Sequence, residues 1–426
     1  MAAAPSLRTL RAAILLLGRK VFMPPALPRF FGFLAVIVLS YSPGWCQRTE
    51  RTLDEIKTEA LHRAEVGGYP LIGVDPADVQ EAFKSIHSRN PDEWATAFMD
   101  VASKYEDEAK NLEKTDPPKA NADYVRAWRL YSFGRWPYPS SPKKQESYEK
   151  AIQMFLAHAH FYDPPMQVVR VPYEGKEMIA YLRLPKNPKG AVPLVIAVNG
   201  LDSRKEDLAE SFGAILPFGI AYLAVDGPGT GQSPIKVDEH AERILSRVLD
   251  YVATRPEIDK DRVAFHGVSW GAYWATKMAI LEKSRLRGAS AQSPPVDEFF
   301  QPDFLRNSLL GNREYLFDQV PALMAIYNGV SNLDQLETMS AKMSLVKQGL
   351  LGQPMAPMLI LAGINDTQVP ISDIWLLLSK GDTPKTAWIN PAGGHLGRQV
   401  KVWPDPRIFN QVIIPWLVRT LQAPAA

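Results

Sequence analysis

One serine in this chain sits where its hydroxyl could act as a nucleophile. His266-Gly267-Val268-Ser269-Trp270-Gly271 follows Arg262–His266, an apolar run that reads as a buried strand, and precedes Tyr273–Lys283, which reads as a helix. A G-x-S-x-G segment in that context is a nucleophile elbow. The serine stands on a strained turn with its hydroxyl exposed, and glycines stand where the backbone must pack closely. A serine hydroxyl is a weak nucleophile without a base. In an elbow of this kind the acid and then the histidine follow the serine along the chain. The seven histidines are His62, His87, His158, His160, His240, His266 and His395, and only His395 lies beyond Ser269. It sits in the loop Pro391-Ala392-Gly393-Gly394-His395-Leu396-Gly397, after the last strand. His266 points from a strand and reads as structural, while His158 and His160 lie on a helix and read as surface or packing residues.

The acid is expected at the end of the strand before that loop. Leu359–Gly363 supplies the strand, and Ile364-Asn365-Asp366-Thr367-Gln368-Val369-Pro370 supplies the turn. Asp366 would hold the tautomer of His395 and stabilise its imidazolium. Asp373, in the next helix, is the second choice. An oxyanion hole needs two backbone N–H groups. Trp270, directly after the nucleophile, is one expected donor. Leu201, in Asn199-Gly200-Leu201-Asp202-Ser203 after the strand Val192–Val198, is the other. The glycine-rich loop Asp226–Ser233 is followed by no G-K-[ST], so it reads as a tight turn that shapes the site rather than a phosphate cradle. No H-E-x-x-H is present, and the single cysteine forms no pair, so no metal and no cofactor are expected.

These residues need a scaffold. From Gln167 onward, short apolar strands alternate with helices. Gln167–Tyr173 and Met178–Leu184 read as a hairpin. Val192–Val198, Ile220–Val225, Arg262–His266, Leu286–Ala291, Met358–Leu361 and Thr386–Ile389 follow as buried strands. Helices are expected at Lys205–Leu216, Val237–Thr254, Tyr273–Lys283, Ser372–Ser379 and Pro406–Leu421. Such alternation predicts an α/β fold with a mostly parallel sheet covered on both faces. The stretch 299–353 interrupts it and reads as a helical insertion. Upstream, residues 47–165 read as a helical domain, with helices at Glu55–Glu65, Pro91–Leu112, Ala120–Phe133 and Lys143–Tyr162. Asn90 is expected as an N-cap with Pro91 at the first helical position. The aromatic residues Tyr124, Trp128, Tyr131, Phe133, Trp136, Tyr138, Tyr148 and Phe155 would pack these helices together or wall an apolar substrate pocket. Residues 166–426 form the remaining, catalytic region.

The chain's 426 residues are 46% hydrophobic and 22% charged, which excludes a disordered or collagen-like chain. A net charge of +2 argues against a nucleic-acid partner. Residues 1–46 hold Arg8, Arg11, Arg19, Lys20 and Arg29 and no acid, and then the apolar run Phe30–Ser40. That run is short for a membrane span and suits a signal peptide, with Met23 as an alternative start. The expected location is therefore secreted or periplasmic. An uncleaved leader would instead anchor the protein to a membrane, its only route to one.

The elbow, the Asp226–Ser233 loop and the Gly363–Pro370 segment together resemble the α/β-hydrolase superfamily. More narrowly, the chain resembles the group with an N-terminal helical cap, which includes the dihydroxypseudooxynicotine hydrolases, the polyketide-shortening hydrolases and the fermentation–respiration switch proteins. Asn199-Gly200-Leu201-Asp202-Ser203-Arg204-Lys205-Glu206 is close to that group's G-G-L-D-S-x-K-E. Tyr131–Pro139, Tyr148, Phe155 and Asp163-Pro164-Pro165 run in the group's order. The resemblance implies that the N-terminal helices cap the site and that Ser269, Asp366 and His395 are the triad. It also implies either ester hydrolysis or carbon–carbon cleavage beside a ketone. For the latter it points to Asp297 and Glu298 as auxiliary carboxylates. It admits a homodimer. Asn199 replaces the group's usual glycine, which would narrow the oxyanion turn or add a side-chain donor. The expected function is ester hydrolysis of a small molecule through an acyl-enzyme. Hydrolysis of a β-diketone-like C–C bond is the alternative reaction, and a non-catalytic binding protein of the same fold is the rival class.

Overall fold

Eight short segments of five to eleven residues become strands in the computed structural model, which describes residues 50–423. The leader expected over residues 1–46 lies outside the described residues. The strands are β1 Met166–Tyr173, β2 Lys176–Arg183, β3 Val192–Val198, β4 Ala221–Val225, β5 Ile258–Val268, β6 Gly288–Gln292, β7 Met358–Gly363 and β8 Lys385–Asn390. They form one eight-stranded sheet in the order β1-β2-β4-β3-β5-β6-β7-β8. β2 pairs antiparallel with β1 and β4. The other pairings are parallel. β5, which carries the elbow, is central, and it begins at Ile258, earlier than the sequence suggests.

The N-terminal helices are α1 Leu53–Val66, α2 Pro76–Phe83, α3 Pro91–Leu112, α4 Pro117–Arg135 and α5 Pro142–Ala159. Asn90 caps α3 through its side chain, with Pro91 at the first turn, as its sequence predicts. The unexpected helix is α2. Asp75 caps it by accepting from the Ala77 N–H at 2.9 Å. Between the strands lie α6 Lys205–Phe212, α7 Arg243–Ala253 and α8 Trp270–Leu281. α7 is shorter than expected. Val237 bridges to Tyr327, and Asp238 turns the chain by accepting from the His240 N–H and from Arg243.

The stretch 299–353 is less helical than its composition implies. It holds α9 Pro302–Phe304, a π turn at Leu305–Leu309, α10 Gln319–Ile326 and α11 Leu333–Ala341, separated by turns. Gly311 and Gly329 adopt positive φ there and end the helical runs. The C-terminal elements are α12 Ile371–Ser379, α13 Asp405–Ile408 and α14 Ile414–Gln422.

Alternation along the strands splits the core into two faces. Leu194, Ile196 and Val198 face α7 and α8. Val195 and Ala197 face the opposite side, where α3, α4, α5, α6 and α14 pack. The described residues form a single compact unit, so the N-terminal helices share a core with the sheet. Most of the aromatic set belongs to that core. Trp128, Tyr131, Phe133 and Phe155 are fully buried, and Phe155 packs on Tyr181 of β2 at 5.3 Å. They serve as helix-to-sheet packing. Among the described residues no helix is long and apolar enough to cross a membrane.

Candidate active site

The sequence around Ser269 enforces its geometry sterically. Ser269 has φ 53° and ψ −116°, a conformation that a non-glycine residue adopts only when its surroundings hold it there. A Cβ on Gly267 would lie 2.1 Å from the Gly271 carbonyl oxygen. One on Gly271 would lie 2.3 Å from the Val198 oxygen. The elbow is therefore pressed against the end of β3, and both positions require glycine.

The three residues expected to work together do meet. Ser269 Oγ lies 2.9 Å from His395 Nε2. His395 Nδ1 lies 2.9 Å from Asp366 Oδ2 and 3.1 Å from Oδ1. The carboxylate fixes the proton on Nδ1 and leaves Nε2 free to accept from the serine. Asp366 is itself held by the Gln368 and Val369 N–H groups, both at 2.9 Å. Burial alone would lower the His395 pKa. The Asp366 carboxylate, with Glu314 behind it, outweighs burial and the opposing Arg398, and the imidazole is raised above its ordinary value. Such an arrangement can take a proton from a serine hydroxyl and hold it as imidazolium.

The histidine loop is tied on several sides. From the end of β6, Gln292 Nε2 donates to the Leu396 carbonyl at 2.9 Å. Ser293 Oγ accepts from the Leu396 N–H at 3.0 Å. Gly363, at the end of β7, has no room for a Cβ, which would lie 2.3 Å from the Gly393 and Gly394 oxygens. The acid and histidine loops thus touch backbone to backbone.

The expected oxyanion loop also lies against the nucleophile. A Cβ on Gly200 would stand 3.5 Å from Ser269 Cβ. Leu201 follows Gly200 directly, and Trp270 follows Ser269. Asn199 is fully buried, and its amide does not enter the site as a donor. It donates to the Gly200 and Ser203 carbonyls and to Thr230 Oγ1, at 2.9, 2.7 and 3.1 Å, and accepts from the Gly227 N–H at 2.7 Å. It staples the oxyanion loop to the loop after β4. That second loop closes on its own acid. Lys205 Nζ, wholly buried, lies 2.9 Å from Asp226 Oδ2 and from Glu206 Oε1. Burial would lower the Lys205 pKa, but the two carboxylates hold it well above the ordinary lysine value. The Asp226 loop is filled by this pair, as a turn rather than a cradle.

Other candidates fall elsewhere. Asp373 accepts from the N–H groups of Val296, Asp297, Glu298 and Phe299, so it caps the turn after β6 and takes no part in the triad. Burial raises its carboxyl to about 6 against those donors. Asp297 accepts from Ser344 and Gln301, and Glu298 accepts from Ser372. Their hydrogen bonds therefore run to these neighbours and not to Ser269, Asp366 or His395. His158 is buried beside Trp128 and bonds Asn121 and Glu210, which makes it a packing residue. His266 is buried, with Nδ1 2.7 Å from Ser290 Oγ. Among the described residues no group of three or more His, Cys, Asp and Glu side chains stands together as metal ligands would.

Three contacts were not foreseeable. Arg135 donates to the Asp202 carbonyl at 2.5 Å, and Trp136 Nε1 donates to Asp202 Oδ2 at 3.0 Å. The end of α4 thus grips the oxyanion loop. Glu314, from the insertion, accepts from the His395 N–H and from Thr367. A local signal existed only for Arg135-Trp136, which lie within the segment that resembles the helical-cap hydrolases.

Strand order, an elbow at the end of the central β5, and an acid and a histidine after β7 and β8 define an α/β-hydrolase, and this chain is an enzyme of that class. The family description "Esterase FrsA-like" matches residues 80–391, and the chain belongs to the FrsA-like esterase family. Esterase FrsA of Yersinia pestis (strain Pestoides F) is 26% identical over 329 residues, covering 72% of this chain and 77% of that protein. Esterase FrsA of Yersinia pseudotuberculosis serotype O:3 (strain YPIII) matches at the same 26% identity over the same 329 residues. The crystal structure of 2,6-dihydroxy-pseudo-oxynicotine hydrolase shares the fold at TM-score 0.68 and 22% identity, over 84% of this chain and 95% of its own. AbyA5 does so at TM-score 0.68 and 18% identity, over 84% and 94%.

Proposed function

We propose that this esterase-family enzyme hydrolyses carboxylic esters of small molecules through an acyl-enzyme on Ser269. The observation that carries the reading is the continuous line of contacts from Ser269 Oγ through His395 to Asp366, each at 2.9 Å. In this reading Ser269 Oγ attacks the ester carbonyl carbon while His395 Nε2 takes its proton. The N–H groups of Leu201 and Trp270 hold the oxyanion as the C=O bond opens. The tetrahedral intermediate collapses, the C–O bond to the alcohol breaks, and His395 gives the alcohol its proton. Water, deprotonated by His395, then repeats the attack on the acyl-enzyme and releases the acid and free Ser269. Asp297 and Glu298, with partners of their own, have no step to perform here.

The test is turnover of a simple aryl ester by the purified protein and by Ser269→Ala, with labelling by a fluorophosphonate. Loss of both turnover and label in a variant that melts like the wild type is the expected result. Turnover retained by Ser269→Ala would overturn the reading.

A further inference from the structure

Glu314 lies in the stretch between β6 and β7, far in sequence from both loops it touches. Its Oε1 accepts from the backbone N–H of His395. Its Oε2 accepts from the Thr367 N–H at 3.0 Å and from Thr367 Oγ1 at 2.7 Å. Thr367 follows Asp366 directly. One carboxylate thus bridges the loop that carries the acid and the loop that carries the histidine. Gly394 makes room for it, since a Cβ there would lie 2.6 Å from Glu314 Oε1. Asn312 adds a second strut, donating to the Thr367 carbonyl at 2.8 Å and accepting from the Glu314 N–H at 2.9 Å.

The N-terminal region fixes this strut from outside. Arg63 of α1 donates to the Glu314 carbonyl at 2.9 Å. Arg51 donates to the carbonyls of Tyr315 and Leu316 at 2.6 and 3.2 Å. Arg313 pairs with Glu55 at 3.1 Å. These contacts clamp the main chain on both sides of Glu314. A helix remote from the nucleophile thereby reaches the base.

We infer that Glu314 is a positioning residue for His395: it locks the acid and histidine loops in register and places a second negative charge beside the imidazole. The inference rests on the reading of His395 as the base for Ser269. The charged groups that face His395 are Asp366 from the acid loop, Glu314 from the insertion and Arg398 from its own loop. The two carboxylates favour the imidazolium, and Arg398 opposes it. Removing the Glu314 charge while keeping its shape must therefore make His395 less basic. It also leaves one of the two loops without its acceptor, because an amide offers one acceptor oxygen where the carboxylate offers two.

The experiment compares wild type, Glu314→Gln and Glu314→Asp by the pH dependence of kcat/KM on the aryl ester, with Ser269→Ala as the blank. In Glu314→Gln, kcat should fall roughly tenfold to a hundredfold with KM within about twofold, as for losing a hydrogen bond to a charged group. Its acid limb should move to lower pH, because a less basic histidine stays neutral further into acid. Glu314→Asp keeps the charge, so its limb should stay near the wild-type position even as kcat drops. A Glu314→Gln limb that coincides with wild type overturns the inference and leaves the Ser269 reading intact, provided Ser269→Ala is dead. Turnover retained in Ser269→Ala overturns both.

Discussion

His266 lies three residues before Ser269, and acid should expose its role. Its ring is buried between Phe212 and Phe409, with centroids 5.3 and 6.2 Å away. Nδ1 meets Ser290 Oγ at 2.7 Å, and no carboxylate compensates a charge there. Burial pushes its pKa down to about 3. An unfolded histidine titrates at about 6.5. Between these values the unfolded chain binds a proton that the folded chain refuses, so stability rises with pH there. The contribution is complete above the unfolded value and is lost as pH falls toward the folded one. Worked through linkage, acidification from pH 7.5 to pH 5 removes about 2 kcal/mol.

The perturbation is His266→Asn, which keeps a polar atom near Ser290 and cannot titrate. Urea unfolding at a series of pH values, extrapolated to water, gives stability for both proteins. Other groups titrate in the opposite sense, Asp318 among them and common to both proteins. Asp373, raised to about 6 by burial, and His395, raised by its carboxylate neighbours, both add stability as pH falls through their ranges. Both are common to the two proteins and cancel in the difference. The variant should be less stable at neutral pH because of the cavity it leaves, and the gap should narrow by about 2 kcal/mol by pH 5. Curves that stay parallel across that window would refute the reasoning, since they would mean that folded and unfolded His266 titrate alike.

Three further outcomes follow from the site. Asp366→Asn should keep the fold but hold His395 in the wrong tautomer, dropping kcat by roughly a thousandfold to ten-thousandfold in steady-state assays. Asp373→Asn should instead lower stability by about 2 kcal/mol through its lost acceptor, with kcat little changed; the reverse pattern would reassign the acid. Gly271→Ala places a methyl group 2.3 Å from the Val198 oxygen and 2.4 Å from the Asn199 oxygen, both backbone. It should cost about 3 kcal/mol and abolish turnover, and a wild-type melting temperature would contradict the close packing of elbow on β3.

What could be read in the sequence is what depends on local pattern. The central strands such as β3 and β4 were legible as short apolar runs buried on both faces, and the β1–β2 hairpin by its alternation. Ser269 was legible because the G-x-S-x-G pattern is local, although only Gly267 is dictated by contacts within a few residues and Gly271 packs on β3. His395 was legible by elimination, and Asp366 by its place at a strand end. Asn199 was noticed as a departure from the resembling group, but its purpose depends on Gly227 and Thr230 across the sheet. The insertion was legible as helical, but the turns that break it into short helices were not. Glu314 left no trace. A carboxylate bound to a backbone N–H 81 residues away looks, in the sequence, like any surface acid.

The hidden contacts share one direction. Arg135 and Trp136 at the end of α4 hold the oxyanion loop through Asp202. Arg51 and Arg63 hold the segment that carries Glu314, and Glu314 holds the acid and histidine loops. The loops that emerge from the sheet are glycine-rich where the backbone comes close, and glycine supplies room rather than rigidity. Stiffness must come from elsewhere: Arg135 and Trp136 reach the loop after β3 directly, and Arg51 and Arg63 reach the acid and histidine loops only through the segment that carries Glu314. The N-terminal region therefore holds, directly or through Glu314, the loops that carry Asp202, Asp366 and His395. Arg63→Ala and Arg135→Ala should therefore lower kcat on the aryl ester while the fold persists, and an unchanged kcat in variants that have lost these contacts would refute the bracing.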